Sequence, residues 1–150
     1  TILDAPPGIA ALALAGFSLG LTLTRFVADQ LGEKFGELAL LRGGSALAGV
    51  GMTVGLLQSS TAIAILGFVA LGAGLAAVVP IAFRRASNTA GLPPGPGVAA
   101  VAAIGYTGFL AGPPLIGLLA EAIGLRAALS IVPILALGIA TLGVAAIRRS

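Results

Sequence analysis

The sequence predicts an all-α integral membrane protein with five transmembrane helices, and three observations carry that expectation. Hydrophobic residues make up 58% of the 150-residue chain and charged residues only 9%, with a mean hydropathy of +1.13. A soluble domain carries about 25% charged residues, so water is not the main solvent of this surface. The charges are also bunched, leaving long uncharged runs between them. Finally, residues 25–36, Arg-Phe-Val-Ala-Asp-Gln-Leu-Gly-Glu-Lys-Phe-Gly, form a polar stretch between two apolar segments. Ionised side chains of this kind are held at the water edge of a bilayer, and the stretch reads as a short hairpin.

A spanning helix needs about 20 mostly apolar residues. Twenty uncharged residues separate Asp4 from Arg25, and Pro6 and Pro7 suit a helix start, so the first span is expected at 8–27. Residues 43–83 are 41 consecutive positions without a charge. They hold two spans divided by the polar Gln58-Ser59-Ser60-Thr61, expected at 38–57 and 61–83. Arg84 and Arg85 close the third span, and residues 86–97, rich in Ser, Asn, Pro and Gly, form a loop whose prolines stop the helix. The fourth span is expected at 98–122. A turn holding Gly124 and Arg126 leads to the fifth, at 127–147, closed by Arg148 and Arg149.

Five spans put the two ends on opposite sides. Arg25, Lys34, Arg42, Arg84, Arg85, Arg148 and Arg149 then share one side and Arg126 stands alone on the other. The excess of bases marks the 25–36 side as cytoplasmic, so the N-terminal end is expected outside and the C-terminal end in the cytoplasm. The chain opens on Thr1 as a loop cut open, which predicts a piece of a longer polypeptide.

Composition also excludes functions. There is no cysteine and no histidine, which removes disulfides, thiolate nucleophiles and the usual transition-metal sites; no metal or cofactor is expected. The net charge of +3 comes without a basic cluster or many aromatics, so nucleic acid is not an expected partner. The acids lie at the edges of the spans, leaving no acid/base pair for an intramembrane enzyme. For the same reason no mid-membrane carboxylate is available as a proton relay. Glu121 and Arg126 are expected to pair at the outer edge.

Small residues let helices approach closely in lipid. Gly44, Ala48, Gly51 and Gly55 share one face of the second span, and Gly67, Gly72 and Gly74 lie in the third. Helix packing is the expected use of both groups. The fourth span carries Gly105-Tyr-Thr-Gly108-Phe-Leu-Ala-Gly112-Pro-Pro-Leu-Ile-Gly117. Pro113 and Pro114 cannot donate to the carbonyls of Phe109 and Leu110, which predicts either a static kink or a bend about which a cavity wall moves.

Asp29, Gly32 and Lys34 resemble the cytoplasmic loop motif of the major facilitator superfamily, Gly-x-x-x-Asp-Arg-x-Gly-x-Arg. Arg25 stands where that family prefers glycine, and Gln30 where it prefers a base. Gly108, Gly112, Pro113 and Gly117 resemble the Gly-x-x-x-Gly-Pro-x-x-x-Gly element of its fifth and eleventh helices. The two elements stand in the family's order, and the chain looks like its helices eight to twelve, similar to the bacterial sugar-type or efflux branch.

That resemblance implies a partial general-substrate-transporter fold in the bacterial inner membrane. It implies a secondary carrier of twelve helices that moves a small solute by alternating access and needs the missing N-terminal half of the same chain. Arg25, Asp29, Gly32 and Lys34 would form the cytoplasmic gating loop, Asp29 latching onto a helix of that missing half; a plain solvated charge is the alternative. Gly108, Gly112, Pro113, Pro114 and Gly117 would form the bend. The first, third and fourth spans would line the path, with the second and fifth packing outside. Phe17, Ser18, Thr22, Tyr106 and Thr107 are candidate cavity groups, each equally able to bond its own helix or a neighbour. Ser18, Thr22, Arg25 and Asp29, spaced 4, 3 and 4, share one helix face. The rival expectation is a self-standing small membrane protein that packs or scaffolds partners in the lipid bilayer.

Overall fold

A computed structural model describes residues 7–88, 91 and 93–143. Its elements are α1 (Pro7–Phe35), α2 (Glu37–Leu57), α3 (Thr61–Leu75), α4 (Val78–Ser87), α5 (Pro94–Ile123), α6 (Leu125–Leu129), α7 (Ile131–Gly138) and a closing π-helical turn (Ile139–Gly143). Among the described residues five stretches are long and apolar enough to cross a membrane: Gly8–Phe35, Glu37–Leu57, Thr61–Ser87, Gly95–Ile123 and Leu125–Gly143. The fold class is therefore the expected one, all-α with five spans. Asp4, Pro6, the end of the fifth span at 144–147 and the bases Arg148 and Arg149 lie outside the described residues.

The polar stretch 25–36 is a helix rather than a hairpin. α1 continues through it without interruption to Phe35. Arg, Gln, Leu, Glu and Lys are all good helix formers, and Lys34 in the last turn complements the negative end of the helix dipole. At 29 residues, α1 is roughly 43 Å long, against a hydrocarbon core of about 30 Å. Its charged last turns therefore project beyond the apolar layer. The reversal into α2 is made by Gly36 alone, at φ 84° and ψ 152°, a region of backbone space open almost only to glycine. Its N–H donates to Gly32 O at 2.9 Å and its carbonyl accepts from Leu40 N–H at 3.1 Å. Gly124 makes the corner between α5 and α6 in the same conformation, φ 87° and ψ 150°.

Two spans are broken, each just ahead of a proline. Pro80 cannot donate to the carbonyl of Ala76, and the third span parts into α3 and α4 at Ala76 and Ala77. Pro133 likewise leaves the carbonyl of Leu129 without its donor, and α6 gives way to α7 at Ser130. By contrast, α5 runs unbroken from Pro94 to Ile123 with Pro113 and Pro114 inside it.

The bundle is organised around α3, which lies between α1 and α2. The contacts are backbone against backbone. A Cβ on Gly72 would strike the carbonyl of Phe17, and one on Gly20 would lie 3.1 Å from Ala73 N. On the other flank, a Cβ on Gly44 would lie 2.5 Å from Gly74 O, and one on Gly67 would lie 3.0 Å from Gly51 O. The glycines of the second and third spans thus serve helix packing; Gly16 and Gly20 of α1 do the same and were not singled out from sequence. α2 also meets α7 and the π turn, where Gly49 faces Leu137. Ala48, Met52, Leu56, Leu71 and Ala136 form the buried centre of this packing. Of the buried residues, Ser45 of α2 carries a hydroxyl with no hydrogen-bond partner.

Thermal unfolding of the full-length protein should separate the two kinds of glycine. Gly72→Val forces α1 and α3 apart and should cost about 1–3 kcal/mol. Gly43→Ala, where a Cβ meets nothing within 4 Å, should be neutral or stabilising by up to about 1 kcal/mol. Ser45→Ala should not lower the melting temperature, because it removes an unpaired buried hydroxyl.

Candidate functional site

Arg25, Asp29, Glu33, Glu37 and Arg84 converge on one end of the bundle. The last turns of α1, the first turns of α2 and the α3–α4 junction enclose a cleft of about 570 Å³. Arg25, Asp29 and Gly32 line it from α1, together with Glu33, and Glu37 and Arg84 line it from α2 and α4. Its floor is apolar: Ala28, Leu41, Ala77 and Ile81 are buried together beneath it. The break before Pro80 builds one wall, since Ala76, Ala77, Pro80 and Ile81 all face the cleft.

Glu37 organises the charges. It stands in the first turn of α2, and Arg84 and Arg85 stand in the last turn of α4, so each sign complements the dipole of its own helix. Glu37 Oε1 lies 3.3 Å from Arg84 Nη1, and Oε2 lies 3.3 Å from Arg85 Nε. One carboxylate thus clamps two helices across the cleft mouth. Asp29 and Arg25 are exposed and, among the described residues, make no hydrogen bond or ion pair. Lys34 turns away, its Nζ 5.5 Å from the centroid of the Phe35 ring. Of the four expected loop residues, three therefore line one cleft and Lys34 does not. Sequence reasoning missed Glu33, Glu37, Arg84 and Pro80 as parts of this site; the acid after a glycine turn and the proline four residues past Ala76 were the available signals.

The expected cavity residues are not brought together. Phe17 packs against the buried centre between α2, α3 and α7, because its turn of α1 is the one pressed onto Gly72. Ser18 and Thr22 are exposed on α1. Tyr106 is 71% exposed on α5, and Thr107 donates to Ala103 O of its own helix at 2.8 Å. α5 packs chiefly on its chain neighbours α4 and α6, and Gly105, Gly108, Gly112 and Gly117 meet nothing within 4 Å. The expected Glu121–Arg126 pair does not form. Arg126 instead donates from Nη2 to Gln58 O at 3.1 Å, tying α6 to the end of α2, where the last carbonyls of a helix lack partners of their own.

The chain is 35% identical over 140 residues to an uncharacterized MFS-type transporter of Yersinia pestis, a match that covers 93% of this chain. The chain belongs to the major facilitator superfamily. It is also 38% identical to membrane protein MosC of Rhizobium meliloti over 81% of its length. An uncharacterized transporter of Sinorhizobium fredii is 38% identical over 89% of it. The chain spans about a third of the length of these relatives, 36%, 30% and 35% respectively. No protein-family model and no solved structure matches it. Its five apolar spans make it a multi-pass membrane protein, and two of these relatives are named as transporters.

Because both arginines clamped by Glu37 are well exposed, 54% and 41% for their side chains, the clamp is screened by water. Glu37→Gln should lower the unfolding free energy by less than about 1 kcal/mol, and the difference should vanish in high salt.

Proposed function

We propose that this superfamily chain is the part of a twelve-helix secondary carrier that comprises helices eight to twelve, moving a small solute across a bacterial inner membrane by alternating access. The observation that carries the reading is identity of 35–38% to relatives named as transporters or membrane proteins, over at least 81% of the chain. The cleft at the Arg25 end supports it. In this reading that end faces the cytoplasm, consistent with the bases gathered there, and the N-terminal end of the chain lies outside.

Asp29 is the proposed latch. Its carboxylate is exposed at the cleft and unpaired among the described residues, so it is free to meet the positive N-terminus of a helix supplied by the rest of the polypeptide. Such an interaction is worth about 0.3–2 kcal/mol, enough to bias two conformations without locking either. Shutting the cytoplasmic end favours the outward-open state, and release of the latch opens the path past Thr22 and Ser18. The bend at Gly108, Gly112, Pro113, Pro114 and Gly117 is proposed to let α5 follow that change. Tyr106 and Thr107 would reach the path once the remaining helices surround it, whereas Phe17 is better explained as packing.

The test has two parts. The reading frame upstream of Thr1 is expected to encode about seven more apolar spans; a start codon beside Thr1 would remove the proposal and favour a self-standing membrane protein. In the full-length carrier freed of cysteines, Asp29→Asn should raise alkylation of Thr22→Cys from the cytoplasmic side. The expected rise is about two- to thirtyfold, the population shift that matches the strength of the latch. Unchanged labelling would mean that Asp29 is a solvated charge.

A further inference from the structure

At the opposite end from the charged cleft, α2 and the α6–α7 pair enclose a second groove of about 420 Å³. Most of its lining is apolar: Leu56, Leu57, Pro133, Ile134 and Leu137 form its length. Leu57 and Ile134 are 75% and 65% exposed, so the groove opens sideways along the spanning helices rather than inward. Its hydroxyls are already satisfied within their own helices. Thr53 Oγ1 donates to Gly49 O at 2.7 Å, and Ser130 Oγ donates to Ala127 O at 2.6 Å.

One polar group of the lining is not satisfied. Arg126 stands at the edge of the fifth span, in its first turn after Gly124. A guanidinium has five N–H donors and carries a permanent charge. Here one hydrogen bond goes to Gln58 O, while Nε is shielded from solvent and has no acceptor. No carboxylate neutralises it among the described residues, and Glu121, five positions earlier, is not its partner. A partly desolvated cation without a counter-ion is costly, and it is placed where lipid headgroups begin.

We propose that this groove is a binding site for an anionic phospholipid, with the headgroup phosphate at Arg126 and an acyl chain lying along Leu56, Leu57, Pro133, Ile134 and Leu137. The match is one of charge and shape together. Arginine binds phosphate through paired N–H donors, and an alkyl chain needs only the apolar wall below. Binding there would brace α2 against α6 and α7 at the end remote from the charged cleft. The inference depends on the chain spanning a membrane and not on which solute is carried or on the Asp29 latch.

The experiment uses the purified full-length protein and native mass spectrometry, titrating phosphatidylglycerol, phosphatidylcholine and inorganic phosphate separately. One phosphatidylglycerol should be retained in preference to phosphatidylcholine, with no retention of free phosphate. Arg126→Gln should weaken that preference about tenfold, the equivalent of one charge-assisted hydrogen bond, and Arg126→Lys should restore much of it. Ala127→Phe narrows the groove without touching the charge and should reduce retention of both lipids, which keeps the test open if Arg126→Gln folds poorly. Equal retention of the two lipids, no effect of Arg126→Gln and Ala127→Phe, or competition by free phosphate would each overturn the proposal. So would protection of Ile134→Cys from alkylation in lipid-free detergent, which would place another segment of the polypeptide in the groove.

Discussion

Backbone approach along α3 is the constraint on which the rest of the structure depends. In a bilayer the lipid tails are as apolar as leucine, so burying apolar side chains between helices gains little and close packing must do the work. The glycines supply it: Gly72 under the carbonyl of Phe17, Gly44 opposite Gly74, and Gly67 opposite Gly51 and Gly55. Because α3 is approached this closely from both flanks, α1 and α2 are fixed in rotation as well as position. That rotation decides which side chains of α1 face the cleft and which, like Phe17, face the core.

The charged cleft follows from the same packing plus one defect. With α1 and α2 held against α3, their polar ends are brought to one edge, joined by the single residue Gly36. The break before Pro80 then turns α4 so that Arg84 and Arg85 meet Glu37. Glu37, Arg84 and Arg85 sit at helix termini, where charge is cheapest at the membrane edge, and the floor of Ala28, Leu41, Ala77 and Ile81 keeps the layer beneath the cleft apolar. A cleft whose salt bridges are solvent-exposed is energetically soft.

Much of this was legible in the sequence. The uncharged run at 43–83 and the polar Gln58-Ser59-Ser60 announced two spans, and the small-residue spacing of α2 announced its packing face. Charge was a poorer guide to helix ends. Residues 25–35 are polar but are helix formers, so the helix ignores the membrane boundary that their charges mark. Prolines were misleading in the opposite sense. Pro113 and Pro114 drew attention in a helix that stays continuous, whereas the solitary Pro80 and Pro133 coincide with real breaks. The difference lies in context that a linear reading lacks. Glu37 and Arg126 were hidden for a similar reason, since their partners, Arg84, Arg85 and Gln58, lie 47 or more positions away.

α5 shows where these 150 residues leave physical requirements unmet. Its Gly105, Gly108, Gly112 and Gly117 have open space at every Cβ position, while Ile104, Phe109, Leu110 and Leu118 are all largely exposed. Glycine weakens a helix interior by about 1 kcal/mol relative to alanine, and nothing among the described residues offsets that loss through closer packing. The same spacing that tightens α2 onto α3 therefore stands idle in α5. Relatives roughly three times as long carry ample chain to cover such a face. α5 packs chiefly on its sequence neighbours α4 and α6 and keeps its glycine face open, whereas α1, α3 and α2 are held together by close backbone approach. The closely packed and the open parts of the structure meet at the corner between α4 and α5, where a Cβ on Gly97 would strike the carbonyl of Ala86.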